Sequence, residues 1–285
     1  MNKKSSKIID GKKLADKILL ELKDKVALLA TPPGLAVVLI DDDPASLRYV
    51  GNKKKACLRV GIEFNQYRCG GEFLPNITQA EIIDMIDWLN RDNSIDGIIV
   101  QLPLPPQFDT NAIIAALDPK KDVDGFHPKN RPALLAGSAG SVPPLIAAID
   151  LALRYTDEPL PGKAAVVVAK NPIFYEPLLA ALKRQGLVVT QIYPSDKKLA
   201  ATTKTADVLI SIAGKKHVIT KAMVKPHAIV VDAGTTMVGE NQFAGDVDPA
   251  AASVVDWLTP VPGGIGPLTV AMLLKNTYDL RAARG

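Results

Sequence analysis

Between Ile8 and Leu29 the apolar residues Leu14, Ile18, Leu22 and Val26 recur at four-residue steps, with Leu19 and Leu29 widening the stripe. That spacing predicts an amphipathic helix. An apolar run, Leu35–Ile40, reads as a strand; Ala45–Val60 returns to helical spacing. Ile62–Tyr67 then reads as a strand, Thr78–Asn90 as a helix and Gly97–Val100 as a strand. The alternation predicts parallel α/β layering. Pro143-Pro144 leads into an apolar helix, Leu145–Tyr155, and the polar, proline-rich stretch Asp157–Gly162 marks a hinge or boundary. Beyond it, strands are predicted at Ala164–Ala169, Leu187–Tyr193, Val208–Ile212 and Ile229–Asp232, with a helix at Pro177–Gln185 stopped by Gly186. Short apolar strands in series fit a doubly wound, Rossmann-like sheet. A last helix, Leu268–Thr277, is expected to pack back on the first domain.

The chain has 285 residues, 47% of them hydrophobic, enough for two ordinary domains with real cores. No apolar run approaches the roughly 18 residues of a membrane span, and the lysine-rich start lacks the apolar core of a signal peptide. A cytoplasmic protein is expected. The net charge of +4 is mild and no basic stripe interleaves with aromatics, which argues against nucleic acid as a partner. Cys57 and Cys69 read as two ordinary thiols, and the scattered His127, His217 and His227 give no metal site.

Four islands place polar residues in apolar or proline-glycine settings. On a helix Ser46, Tyr49 and Lys53 share one face, where an ammonium near apolar surface would have a lowered pKa and could act as a base near neutrality. An exposed lysine beside a half-buried tyrosine would show the same spacing. Gln101 ends the strand Gly97–Val100, at the edge where α/β sheets bind ligands, and its amide can orient a lysine or a substrate. In Lys121-Asp122-Val123-Asp124-Gly125-Phe126-His127-Pro128 the two aspartates face one side if extended, but Gly125 makes a turn equally compatible. One carboxylate there would suit the amino-pyrimidine edge of a bicyclic heterocycle. In Thr259-Pro260-Val261-Pro262-Gly263-Gly264-Ile265-Gly266-Pro267 the glycines let backbone approach a ligand, although a tight turn explains them too.

Taken in order, Tyr49-x-x-x-Lys53, Val100–Pro105, Lys121–Pro128, Asp246-Val247-Asp248 and Thr259–Pro267 resemble the bifunctional methylenetetrahydrofolate dehydrogenase/methenyltetrahydrofolate cyclohydrolase family over nearly the whole chain. The resemblance implies an α/β catalytic, folate-binding domain at 1–148 with 268–285 packing back on it. It also implies a Rossmann-like NADP domain at 149–267, a folate cleft between the two, and a homodimer. Lys53 would be the catalytic lysine, Tyr49 would pack on the aminobenzoyl ring, Gln101 would tune Lys53, and Asp124 would hold the pterin. Pro262, Gly263 and Gly264 would line the same cleft.

The cofactor half departs from the family pattern. Where Gly-Arg-Ser-x-x-Val-Gly-x-Pro is usual, this chain has Ala169-Lys170-Asn171-Pro172-Ile173-Phe174-Tyr175-Glu176-Pro177. Phe174 and Tyr175 would crowd a pyrophosphate and Glu176 would repel it, while Lys170 and Asn171 keep a charge and a polar group. Pro143-Pro144-Leu145-Ile146 replaces Pro-Cys-Thr-Pro, and Asp232-Ala233-Gly234-Thr235-Thr236 replaces Asp-Val-Gly-Ile-Asn, keeping Gly234. Read without gaps, Pro194 falls at the cofactor serine. The expected activity is hydrolysis of 5,10-methenyltetrahydrofolate to 10-formyltetrahydrofolate, with NADP-dependent oxidation of 5,10-methylenetetrahydrofolate if the eroded site still binds NADP. The alternatives are a folate-binding pseudoenzyme or regulatory subunit, against which Lys53 and Gln101 argue, and an unrelated Rossmann dehydrogenase.

Overall fold

A computed structural model describes residues 7–138, 141–240 and 242–284. The chain runs β1 (Lys7–Ile8), α1 (Gly11–Val26), β2 (Gly34–Leu39), α2 (Pro44–Val60), β3 (Glu63–Arg68), α3 (Gln79–Arg91), β4 (Gly97–Val100), α4 (Thr110–Ala115), α5 (Arg131–Ala136) and α6 (Pro144–Tyr155). It continues through β5 (Ala164–Ala169), α7 (Pro172–Arg184), β6 (Val188–Ile192), α8 (Leu199–Thr203), β7 (Val208–Ile212), β8 (Ile229–Asp232), β9 (Thr236–Gly239), β10 (Gln242–Ala244), β11 (Trp257–Leu258) and α9 (Ile265–Ala282). Two units result: 15–144 with 270 onward, and the segment to Leu14 with 145–269.

In the first unit β2 lies between β3 and β4 in a parallel three-stranded sheet. Every residue of β2 is buried, as an all-apolar Gly-Leu-Ala-Val-Val-Leu run requires when it is covered on both faces. Helix α3 opens with a capping box: the Thr78 hydroxyl accepts from the Glu81 N–H, and the Glu81 carboxylate accepts from the Thr78 N–H at 2.8 Å. It buries Ile82, Ile86 and Leu89. The carboxyl-terminal helix α9 belongs to this unit from Val270 on. Its Asn276 donates from Nδ2 to the carbonyls of Val123 and Val142, both at 2.9 Å. Asn276→Ala would leave two carbonyls without that partner, and we expect a loss of about 2 kcal/mol, read as a lower thermal midpoint.

In the second unit six parallel strands are ordered β1-β11-β8-β7-β5-β6. The chain leaves β5 toward β6 and returns past it to β7, so the strand order reverses at β5, the crevice where doubly wound sheets bind ligands. Val166, Val168, Leu209, Val230 and Ala251 sit in its buried core.

Several elements differ from the expectation. Lys7–Ile8 pairs with Trp257–Leu258 instead of opening a helix, so the amino-terminal segment joins the carboxyl-terminal sheet and not the unit expected for 1–148. The Asp10 carboxylate accepts from the Lys13 N–H at 2.9 Å, and α1 starts just after it. The division falls at 144/145, where 148/149 was expected. Helix α7 begins five residues before the predicted Pro177, because Asn171 caps it and Pro172 occupies its first position; Pro177 is carried inside. Helix α9 extends beyond Leu268–Thr277 at both ends; Gly266 and Pro267 fit its first turn, where amides have no helical partner.

Candidate active site

Helix α2 sets the first functional side chain. Asp43 caps it by accepting from the Ser46 N–H at 2.8 Å, and Gly61, at φ 85°, ends it in the left-handed conformation. Ser46, Val50, Cys57 and Val60 are its buried residues. Lys53 falls between Val50 and Cys57 in that same stripe, so the helix turns a lysine inward where a heptad would place an apolar residue. Burial lowers its pKa from the usual lysine range; Asp124 and Cys57 oppose the shift. Cys57, one turn on, is pushed up to about 12 by burial and stays a thiol. Tyr49 lies one turn before Lys53 and is 37% exposed.

Strand β4 supplies the second. Gln101 follows its last residue, anchored by its N–H to the Val38 carbonyl at 2.9 Å. The Lys53 ammonium donates to Gln101 Oε1 at 2.7 Å, and Gln101 Nε2 donates to the Leu102 carbonyl at 2.7 Å. The second bond fixes which end of the amide faces the lysine, so the expected tuning of Lys53 by Gln101 has a geometry.

The third lies on the segment beside β4. The Ile98 N–H donates to the Lys121 carbonyl at 2.8 Å. Asp122, fully buried, accepts from the Gly125 and His127 N–H groups at 2.9 and 2.8 Å and from Asn130 Nδ2 at 3.2 Å. Asp122 therefore shapes the loop, with Gly125 at φ 72°, and Asp124 is the carboxylate in electrostatic range of Lys53. An acid/base pair of Asp122 with Asp124 is not formed. Burial pushes Asp124 up to about 6; Lys53 pulls it down and Asp122 adds to the rise. Lys121 is structural, donating to the Leu89 and Asp92 carbonyls at 3.0 and 2.7 Å. His127 accepts at Nδ1 from the Lys129 N–H and its Nε2 faces the Ala115 carbonyl, so both ring nitrogens are engaged within the loop. The positioning role of Asp122 had only one sequence signal, a carboxylate three residues before a glycine that needs positive φ.

Pro262, Gly263 and Gly264 lie in the other unit. The Gly263 carbonyl accepts from the Lys12 N–H at 2.9 Å, and a Cβ on Gly264 would stand 2.5 Å from the Pro260 carbonyl oxygen. Gly264 is thus required by the packing of the turn, and Gly263 by its left-handed φ of 104°.

The cofactor candidates are placed as follows. Lys170 and Asn171 are exposed, and Asn171 Oδ1 accepts from the Ile173 N–H at 3.1 Å. Gly234 packs against a buried carboxylate: its Cβ would fall 2.0 Å from Asp246 Cγ. Asp232 accepts from the N–H groups of Gly234, Asp246 and Val247 and is pushed up to about 7, chiefly by burial. Gly234 is thus required by this buried carboxylate network.

Residues 9–124 match the family model for the catalytic domain of tetrahydrofolate dehydrogenase/cyclohydrolase, and 143–284 match the model for its NAD(P)-binding domain. The chain belongs to the tetrahydrofolate dehydrogenase/cyclohydrolase family. It is 42% identical over 278 residues to the bifunctional protein FolD of Geotalea daltonii, spanning 96% of this chain and 98% of that one. The FolD protein of Moorella thermoacetica is 43% identical over 279 residues, with the same coverage. Among solved structures, the bifunctional FolD enzyme of Campylobacter jejuni superposes with a TM-score of 0.92 at 38% identity, covering 99% of this chain and 100% of that one. The Trypanosoma brucei FolD enzyme, solved with NADP cofactor and an inhibitor, gives 0.93 at 31% identity and 99% coverage of both chains. The family's two-domain α/β architecture is therefore that of this chain, and its carboxyl-terminal domain is of the NAD(P)-binding type.

Proposed function

We propose that this chain hydrolyses 5,10-methenyltetrahydrofolate to 10-formyltetrahydrofolate at Lys53, within the one-carbon chemistry of its family. The observation that carries the assignment to this lysine is the bond from Lys53 Nζ to an amide whose orientation is itself fixed. Water adds to the amidinium carbon between N5 and N10, and its proton passes to the amine form of Lys53, which burial favours over the ammonium. The carbon–N5 bond of the adduct then breaks, N5 takes a proton, and the formyl group stays on N10. Gln101 holds the amine in line, Asp124 accepts from the amino-pyrimidine edge of the pterin, and Tyr49 offers its ring to the aminobenzoyl group. Pro262, Gly263 and Gly264 contribute backbone to folate binding.

The family's second activity, NADP-dependent oxidation of 5,10-methylenetetrahydrofolate, belongs to the same reading. Its cofactor would meet Lys170 and Asn171 at the β5–α7 turn and Gly234 beyond β8. The turn does not fit a pyrophosphate as it stands: Asn171 already takes the Ile173 amide, and Pro172 has none. Matches to bifunctional relatives over nearly the full chain favour an enzyme over a folate-binding pseudoenzyme.

The domain assignment follows: folate chemistry on the unit 15–144 with 270 onward, nucleotide binding on the other. A second copy of the chain is the proposed partner, supported by the edge of β3, which pairs with no strand but β2 among the described residues, and sedimentation tests it. The cytoplasm is the proposed compartment; among the described residues no helix is long and apolar enough to cross a membrane. The test of function supplies 5,10-methylenetetrahydrofolate with NADP and follows both reduced cofactor and 10-formyltetrahydrofolate. Formation of both is expected; reduced cofactor with no formyl product would remove the hydrolase assignment.

A further inference from the structure

The amides that a helix start offers a phosphate are all committed at α7. Pro172 carries no N–H, Ile173 donates to Asn171 Oδ1 at 3.1 Å, and the Phe174 and Tyr175 N–H groups donate to the Asn171 carbonyl at 3.2 and 3.3 Å. A dinucleotide on this sheet therefore needs other positive partners along the carboxyl edge, where doubly wound sheets bind their ligands.

Lysines supply them. The neighbouring strands β7, β5 and β6 end side by side on that edge, about 10 Å across at the usual strand spacing. Lys170 follows β5, Lys197 and Lys198 follow β6, and Lys215 and Lys216 follow β7; all five are exposed. Among the described residues none of the five ammonium groups is in an ion pair. The acidic residues along the same stretches are Glu176, on the second turn of α7, and Asp196, which accepts from the Lys198 N–H at 2.7 Å. The balance of the edge is positive.

The loop after β7 is also a fixed one. Asp246, with no exposed surface, accepts from Ser211 Oγ at 2.7 Å, from the Ala213 N–H at 2.6 Å and from the Lys215 N–H at 2.8 Å. The His217 N–H donates to the Gly245 carbonyl at 3.0 Å. At Gly214, between these anchors, a Cβ would meet nothing within 4 Å, so the space in front of the loop is open. A buried carboxylate thus sets the backbone of Lys215 while its ammonium stays in water, beside the point where the strand order reverses.

We propose that lysine side chains on the loops after β6 and β7, and not the amides of the α7 turn, hold the phosphates of NADP: Lys215 and Lys216 the pyrophosphate, Lys197 and Lys198 the 2′-phosphate. The inference rests on the reading of this unit as the nucleotide-binding one. The strand order assigns the two pairs. The pyrophosphate crosses the reversal point, which β7 flanks, and the adenosine ribose lies at the end of the second strand, β6, where a basic side chain accommodates a 2′-phosphate. A seat made of exposed ammonium groups differs in kind from one made of amides, because salt screens exposed charges and screens buried partners much less.

The test is calorimetry of NADP and NAD binding to the wild-type chain and to two double variants, Lys215→Gln with Lys216→Gln and Lys197→Gln with Lys198→Gln. Lys183→Gln, in the last turn of α7 and so at the opposite edge of the sheet, is the control. Thermal unfolding establishes that each is folded, as exposed substitutions of this kind leave a fold intact. Wild type is expected to lose about 10-fold in NADP affinity between about 50 and about 500 mM salt. At the lower salt the 215/216 variant is expected to bind both nucleotides about 10-fold more weakly, and the 197/198 variant to lose about 10-fold for NADP and little for NAD. Lys183→Gln should match wild type. Double variants indistinguishable from wild type overturn the lysine seat, and so does NADP affinity indifferent to salt. An absence of NADP binding by the wild-type chain overturns the seat together with the reading of this unit as the nucleotide-binding one. Hydrolysis of 5,10-methenyltetrahydrofolate without nucleotide reads the Lys53 site separately, so failure here is distinguishable from failure of the hydrolase assignment.

Discussion

Lys53→Met is expected to lower the turnover number for 5,10-methenyltetrahydrofolate hydrolysis by about 10³-fold while leaving KM within a few-fold, a loss in the range of a positioned proton-transfer group. Methionine keeps the length and apolar stem of the side chain, so the stripe Val50–Lys53–Cys57 on α2 stays filled. It cannot donate to Gln101 Oε1 or accept a proton. The variant should be at least as stable as wild type, because an ammonium lowered in pKa by burial is one the fold holds at a cost. Steady-state kinetics followed by absorbance, with a thermal melt alongside, check both parts. A KM raised with turnover intact would make Lys53 a binding group.

Asp124→Asn separates function from stability in the same way, with opposite signs. Replacing a carboxylate proposed to accept two pterin N–H bonds in a fork by a mixed donor and acceptor is expected to reduce kcat/KM by about 100-fold. In the wild type kcat/KM should rise with pH through about 6 as Asp124 ionises, and the variant should lack that limb. The folded chain holds this proton more tightly than the unfolded one, whose aspartate has the ordinary value near 3.8. Stability attributable to Asp124 therefore declines as pH rises between about 4 and 6, and the decline is complete above that window. Asparagine does not ionise, so at pH 7 the variant should be more stable by about 1–2 kcal/mol, allowing for screening at a half-buried group. Melts at pH 4.5 and 7 check the sign: the gain should appear at 7 and shrink at 4.5.

Much of this arrangement was legible from the residues. The strands Gly97–Val100, Ala164–Ala169, Val208–Ile212 and Ile229–Asp232 have the bounds their apolar runs indicate, since buried parallel strands admit few polar positions. The helix carrying Tyr49 and Lys53 was visible in its period, and Gln101 in its place at a strand end. Less legible were features made by distant partners. Lys7–Ile8 is too short to announce a strand, and it becomes one only because Trp257–Leu258 offers an edge. The start of α7 was obscured because Ala169–Pro177 was read against a phosphate-binding turn, whereas Asn171-Pro172 is a cap followed by a first-turn proline. The division of labour between Asp122 and Asp124 depended on three donors, Gly125, His127 and Asn130, converging on one carboxylate.

The hydrolytic site proposed for Lys53, Gln101 and Asp124 needs no nucleotide. Its most direct test is the absorbance decay of 5,10-methenyltetrahydrofolate with the purified wild-type chain in nucleotide-free buffer, corrected for the uncatalysed rate. Enzyme-dependent decay, proportional to protein concentration and with 10-formyltetrahydrofolate as product, is expected. Decay at the uncatalysed rate by a folded chain that still binds the folate would contradict it.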